Sequence, residues 1–503
     1  MLLKVLLLAF LVATVRSATE CMSRTFDYEA VCVCNATHCD TIDPIVEVPQ
    51  GQYVSYTSNL EGLRFEREVE NFLTTGNSNA HVIDHSVTYQ TIVGFGGAFT
   101  DATGINFNIL DEQTREHLIR SYFSDEGLEY SLCRVPIGGT DFSTRSYSYL
   151  DTSYPDIEME NFRLQAEDYS YKIPYILQAL ELTNGKLQFF ASAWTAPAWM
   201  KTNEAQDGDG DLKREYWQLW VDYFVKFFDS YKAEGIEFWG LTTGNEPSLA
   251  FFSWTGINSV GWLPWIQNKW IARHLGPTIR SSDYSHLKLI SHDDQRILLP
   301  FVFNLLSDET AKSYLDGIAV HWYWNDFVPA SWHSNIHDLY PDKFFINTEA
   351  CKGDRPWDSA VHLGSWDRGE QYAVDIIENL QHWSVGWVDW NMALNTTGGP
   401  SYISNEVDSP IIVNPETGEF YKQPMFYAIG HYSKFIIRDS VRVDLPFKQN
   451  NVLTAAFDRP DGATVIVAIN SEDSETEINI RDPNRGYISK VLTPKSFNTI
   501  IYW

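Results

Sequence analysis

The chain is poor in positive charge and in long apolar runs. Its 37 Lys and Arg stand against 66 Asp and Glu, a formal net charge of −29 at pH 7. That balance argues against nucleic acid, or an anionic membrane, as a simple electrostatic partner at neutral pH. It suits an acidic compartment, where some carboxylates carry protons, and it suits plain solubility equally. Beyond the N-terminus no segment reaches ~18 uninterrupted apolar residues, so no transmembrane helix is expected. No His/Cys pattern completes a zinc site, and no metal is expected. Internal repeats and low-complexity tracts are also missing. With 44% hydrophobic and 20% charged residues the chain is globular with a large core, not disordered.

Residues 1–17 read as a signal peptide, with Lys4 as the positive start, Val5 to Val15 as the apolar stretch and Val15-x-Ser17 as a small-residue cleavage site. Four of the six cysteines cluster early, at Cys21, Cys32, Cys34 and Cys39, which in an exported chain reads as a disulfide staple. Three pairings are possible. Cys21–Cys32 with Cys34–Cys39 is favoured, since a Cys32–Cys34 bridge would strain the chain. Cys133 and Cys351 are expected to be unpaired. Two sequons, at Asn35 and Asn395, fit a secreted glycoprotein.

The 503 residues suffice for two or three domains of roughly 100–200 residues. From about 90 to 391, apolar strands alternate with longer helical stretches. Eight strands are expected, at 91–96, 128–136, 187–193, 236–243, 287–291, 317–323, 343–349 and 384–391. The clearest helix, near 216–231, sets Trp217, Trp220, Phe224, Phe227, Phe228 and Tyr231 on one face as core. Eight βα units predict an α/β fold, a (β/α)8 TIM barrel with its active site at the carboxyl ends of the strands. After 440, short strands at 441–445, 453–457, 464–469, 475–480, 488–492 and 499–503, with a hairpin turn at Arg459-Pro-Asp-Gly462, predict a β-sandwich. The stretch 45–89 is expected to donate strands to it.

The chemistry is read at the expected strand ends. Strand four ends Thr-Thr-Gly-Asn245-Glu246-Pro247 and strand seven ends Phe-Ile-Asn-Thr-Glu349. Retaining glycoside hydrolysis needs two carboxyls about 5–5.5 Å apart, one nucleophile and one acid/base. Strands four and seven face each other across a barrel mouth. Asn245 can bond a sugar 2-hydroxyl, which makes Glu246 the expected acid/base and Glu349 the nucleophile. Arg134 can hold Glu349 ionised, with His321 and Tyr323 beside it at the end of strand six. Asp141, Trp194, Trp390 and Asn405 are the expected sugar contacts. The 18 Trp suit a sugar site, because pyranose faces stack on indole, although most of the aromatic residues belong to the core.

These motifs resemble glycoside hydrolase family 30. The likeness covers Cys-Val-Cys-Asn-Ala-Thr at 32–37, Gly-Phe-Gly-Gly-Ala-Phe-Thr-Asp at 94–101 and Arg-Val-Pro-Ile-Gly-Gly-Thr-Asp-Phe at 134–142. It continues through Leu-Thr-Thr-Gly-Asn-Glu-Pro-Ser at 241–248, Thr-Glu-Ala-Cys at 348–351 and His-Trp-Tyr at 321–323. Val-Asp-Trp-Asn at 388–391 and Val-Asp-Ser-Pro-Ile-Ile-Val at 407–413 complete it. The resemblance implies cleavage of glucosylceramide to glucose and ceramide without a cofactor, in the lysosome lumen after passage through the secretory pathway, or after secretion. It implies peripheral association with membranes, with anionic lipid and a saposin-type activator as partners. It implies a small disulfide-stapled β-domain, 18–44 completed by about 392–424, and a last barrel helix at about 425–439. In the family, the positions matching Glu246 and Glu349 are acid/base and nucleophile, and those matching Asp141, Trp194, Asn245, Trp390 and Asn405 bind glucose. The chain departs from the family pattern at Thr255, in place of tyrosine, at Asp354, in place of serine, and by one extra residue in Trp324-Asn325-Asp326. All three lie at the expected mouth and bear on the aglycone and the activator. The alternatives are a β-xylosidase or β-1,6-glucanase of the same family, which needs an open groove, and an inactive sugar-binding relative, which would usually have lost a carboxylate.

Overall fold

The computed structural model describes residues 18–27, 29–251, 256–446 and 451–503. The expected signal peptide and Thr255 lie outside the described residues. Eight parallel strands close a barrel: β1 (Gly94–Ala98), β2 (Leu132–Ile137), β3 (Gln188–Ala193), β4 (Gly240–Thr242), β5 (Lys288–Gln295), β6 (Gly317–His321), β7 (Phe344–Glu349) and β8 (Ser384–Asn391), with β8 paired to β1. Helices cover the outside and side chains fill the inside, so the strands read as continuous apolar runs rather than alternating ones. The aromatic stripe of the helix Trp217–Ala233 is buried as expected, with Trp220, Phe224, Phe227 and Tyr231 at most 2% exposed.

Several strand boundaries differ from the sequence reading; the second strand begins at Leu132 rather than at 128, and the sixth ends at His321 rather than at 323. The first expected strand, 91–96, straddles two elements: Asp84–Thr91 joins the sandwich, and β1 starts at Gly94. The fourth is only three residues long, because the chain turns at Gly235 in the left-handed region (φ 85°) and enters the sheet late. The fifth runs on through His292-Asp293-Asp294-Gln295, where a bulge against β6 places His292 (φ 75°) and Asp293 (φ 49°) in the left-handed region. Arg134 lies within β2 rather than at its end.

A seven-stranded sheet runs in the order Glu66–Asn71, Gln52–Asn59, Ser496–Tyr502, Thr464–Asn470, Val452–Asp458, Val441–Asp444, Asp84–Thr91. A three-stranded sheet (Gly486–Leu492, Thr476–Asp482, His81–Val82) covers one face of it, over a core that includes Tyr53, Ile466, Ile478, Ile488 and Ile500. On the opposite face Val54, Tyr56, Val465, Phe497 and Ile501 join the core of the barrel. That large, shared apolar interface fixes the sandwich against the barrel. A five-stranded sheet (Ser23–Phe26, Glu29–Cys34, Glu419–Lys422, Ile411–Asn414, Ala393–Asn395) grows from the end of β8. It carries the disulfides Cys21–Cys32 and Cys34–Cys39, while Cys133 and Cys351 are free and buried. No helix among the described residues is long and apolar enough to cross a membrane.

Candidate active site

Glu246 follows β4 and Glu349 ends β7, so each projects into the carboxyl-terminal mouth. A carboxylate oxygen of each and a ring nitrogen of His321 all lie within 4.8 Å of one another. This is the close spacing of a retaining pair, not the 6.5–9.5 Å gap that leaves room for a water. Arg134, fully buried inside the barrel, binds Glu349 through Nη1, and its Nη2 donates to Asp293 (2.8 Å) and to the Asn245 amide oxygen (2.8 Å). The Tyr323 hydroxyl donates to the other Glu349 oxygen at 2.8 Å. His321 Nδ1 bonds Glu246 Oε1 at 2.7 Å and its Nε2 faces Asp293 at 3.1 Å. The Gln295 side-chain amide donates to the same Glu246 oxygen.

Asp293 underlies the arrangement. Ser192 and Thr348 donate to its carboxylate at 2.6 and 2.7 Å, beside Arg134 and His321. Burial alone would raise its pKa, but Arg134 and His321 outweigh burial and hold it well below the usual carboxylate range. Burial also opposes charge on His321, yet Glu349, Asp293 and Glu246 push it up to about 10. Burial raises the Glu349 carboxyl, against the pull of His321 and Arg134, while the charge of Glu246 adds to the rise and the Tyr323 hydrogen bond opposes it. Arg134, His321 and the Tyr323 hydroxyl are the groups that favour the ionised form of Glu349.

The other expected contacts converge on the same mouth. Trp194 and Trp390 stack at 5.0 Å between ring centres, and the Arg134 guanidinium lies 4.6 Å from the Trp194 ring. The Asn405 amide donates to Asp141 at 2.8 Å. Burial, with the charges of Glu349 and Glu246, lifts Asp141 to about 7 despite that bond. Asn245 gives its oxygen to Arg134, and its amide NH2 makes no protein hydrogen bond among the described residues. Cys351, unpaired as expected, is buried, and its sulfur sits 3.5 Å from the Tyr323 hydroxyl.

The sequence reading missed Ser192, Asp293, Asp294, Gln295 and Thr348. A signal existed in the run His292-Asp-Asp-Gln295, since four polar residues closing an apolar barrel strand point to the mouth.

A parallel eight-stranded barrel whose fourth and seventh strands present two carboxyls at an aromatic-walled mouth defines a glycosidase. The glycosyl hydrolase family 30 TIM-barrel domain matches residues 92–436, and the beta sandwich domain of that family matches 439–500. The chain is 42% identical to the lysosomal acid glucosylceramidase of Mus musculus, with 96% of each chain covered. The crystal structure of SrfJ from Salmonella typhimurium superposes with a TM-score of 0.83 at 26% identity, covering 90% of this chain and 99% of that one. A solved endo-beta1,6-glucanase superposes at 0.80 with 25% identity over the same shares. This chain belongs to glycosyl hydrolase family 30.

Proposed function

We propose that the chain hydrolyses glucosylceramide to glucose and ceramide by double displacement in the acidic lumen of the lysosome. The convergence of Glu246 and Glu349 from β4 and β7 carries this reading. The similarity to a lysosomal glucosylceramidase over nearly the whole chain supports the substrate and the compartment. Glu349 attacks the anomeric carbon while the bond to the ceramide oxygen breaks and Glu246 gives that oxygen its proton. Water then enters and gives a proton to Glu246 while its oxygen bonds the anomeric carbon and the bond to Glu349 breaks, so the β-configuration is retained. Arg134 and the Tyr323 hydroxyl keep Glu349 ionised and aimed. The Asn245 amide NH2 meets the sugar 2-hydroxyl, while Asp141, Asn405, Trp194 and Trp390 hold the ring. The reaction requires no metal or organic cofactor.

The lipid is reached from a membrane surface. Trp324, Phe327 and Trp357 are exposed, and Arg355, which lies 5.4 Å from the Trp324 ring, is paired with Asp354 (3.4 Å) and Asp326 (3.8 Å). Exposed aromatics suit an interfacial contact with lipid, and anionic lipid and a saposin-type activator are the partners of this reading. Two arms test it. Purified protein is assayed at acid pH on glucosylceramide, with and without anionic lipid, and on β-1,6-glucan. Turnover of the lipid, increased by anionic lipid, is expected. Preference for the glucan would replace this substrate with a polymer.

A further inference from the structure

Asp294 is a buried carboxylate for which the mechanism above has no use. It follows Asp293 on the β5 bulge but turns away from Arg134 and His321, toward the loop after β4. There it accepts the Ser248 backbone N–H at 3.1 Å and the Ser248 hydroxyl at 3.0 Å, two residues beyond Glu246. Its own strand adds the Gln295 N–H at 2.8 Å. The loop thus held is unusual. Glu246 sits at φ 38°, outside the regions that non-glycine residues ordinarily occupy, and stays there only where its surroundings over-determine it. Its N–H donates to the Asp293 carbonyl and its carbonyl accepts the Leu249 N–H, both at 2.9 Å. Consecutive residues of β5 therefore grip the turn from both sides, and Asp294 is the charged grip.

We propose that Asp294 is a positioning residue for the acid/base: its carboxyl clamps the Glu246 turn through Ser248, and the negative charge it takes on as pH rises opposes loss of the Glu246 proton. This rests on the reading of Glu246 as the acid. Burial, together with the charge of Glu246, raises Asp294 to about 7, so it is largely neutral on the acid plateau and charged toward the alkaline limb. The other charged and titratable groups around the pair are His321 on β6, Glu349 on β7, Asp141 after β2, Tyr323 after β6, and His292 and Asp293 on β5. Burial lowers His292 to about 4, so it adds no positive charge at working pH.

The two roles separate by substitution. Asp294→Asn removes the charge and keeps one of the two oxygens that accept from Ser248 and Gln295. The alkaline limb of its kcat/KM profile on glucosylceramide is expected to move down by about one pH unit, with the acid plateau within about threefold of wild type. Ser248→Ala keeps the charge and loosens the clamp. It should lower kcat about tenfold with the limb unmoved and KM little changed. A folded Asp294→Asn enzyme whose limb coincides with wild type overturns the proposal, and so does Ser248→Ala at wild-type kcat. Glu246→Ala run alongside tells which reading has failed. If it loses lipid turnover far more than aryl glucoside turnover, Glu246 remains the acid and only the part given to Asp294 falls.

Discussion

Two of the clusters of buried charge among the described residues are built to opposite plans. In one, Lys172 pairs with Asp168 (3.2 Å) and Asp101 (3.5 Å), all within 1% exposure. Ser143 and Tyr147 donate to Asp101, and Tyr149, Tyr231 and the Gln165 N–H donate to Asp168. Every carboxylate oxygen there is occupied. In the other, around Arg134, capacity is left open: Arg134 Nε and Gln295 Oε1 are buried without a partner, and toward the mouth Glu246 Oε2 and the Asn245 amide NH2 have no protein partner among the described residues. Both clusters bury charge and both shift pKa values, so neither property alone identifies a site. What separates them is an unfilled hydrogen-bonding capacity facing solvent, held by groups that cannot move to fill it.

The contrast is broken most severely by Glu349→Gln. Removing the nucleophile should lower kcat by about 10^4-fold or more on lipid and aryl glucosides alike. The melting temperature should hold or rise, because one of two repelling buried carboxyls becomes neutral. Retained turnover in that variant would disqualify Glu349. A 2-fluoro glucoside should label the same residue covalently in the wild-type protein, and an adduct elsewhere would reassign the role.

Next in size is Glu246→Ala. Loss of a general acid costs typically about 10^2–10^4-fold where the leaving group needs a proton. Glucosylceramide hydrolysis should suffer that loss, while an activated aryl glucoside, whose leaving group needs little protonation, loses far less. Equal losses on both would deny Glu246 the acid role.

How much of this contrast the sequence carries depends on which kind of group is sought. The strands are legible because a parallel sheet buried on both faces demands runs such as Leu132-Cys-Arg-Val-Pro-Ile137. Glu246 and Glu349 are legible because a polar residue closing such a run must face the mouth. Asp293 and Asp294 are not, since Leu-Ile-Ser291 reads as a finished strand and only pairing with β6 carries it on to Gln295 through the bulge. Lys172 is illegible for the opposite reason. A lysine on a helical stretch reads as solvated, and its burial arises from the packing of Asp101 and Asp168 against it. Both failures share a cause: contacts distant in sequence decide where these side chains point.

The saturated cluster supplies the third test. Lys172→Met leaves Asp101 and Asp168 buried without their cation, a change that typically costs about 3–5 kcal/mol. The melting temperature should fall sharply, while kcat per folded molecule stays near wild type, since among the described residues no member of that cluster bonds Glu246, Glu349 or Arg134. A large fall in kcat at unchanged stability would erase the distinction between the two plans.

The smallest expected effect concerns Asp141, where site and stability are linked. A carboxyl raised from 3.8 to about 7 binds its proton more tightly in the folded than in the unfolded chain. Its contribution to stability is whole below pH 3.8 and is lost as pH rises through about 7. Asp141→Asn has no proton to lose, so relative to wild type it should gain stability across that window, on the order of 1–3 kcal/mol by neutral pH, while glucoside KM rises at every pH. Melting curves of both proteins through the window measure the gap. A gap that stays constant would mean that Asp141 is solvated in the folded chain, and the open plan of this site would then not extend to its sugar-binding wall.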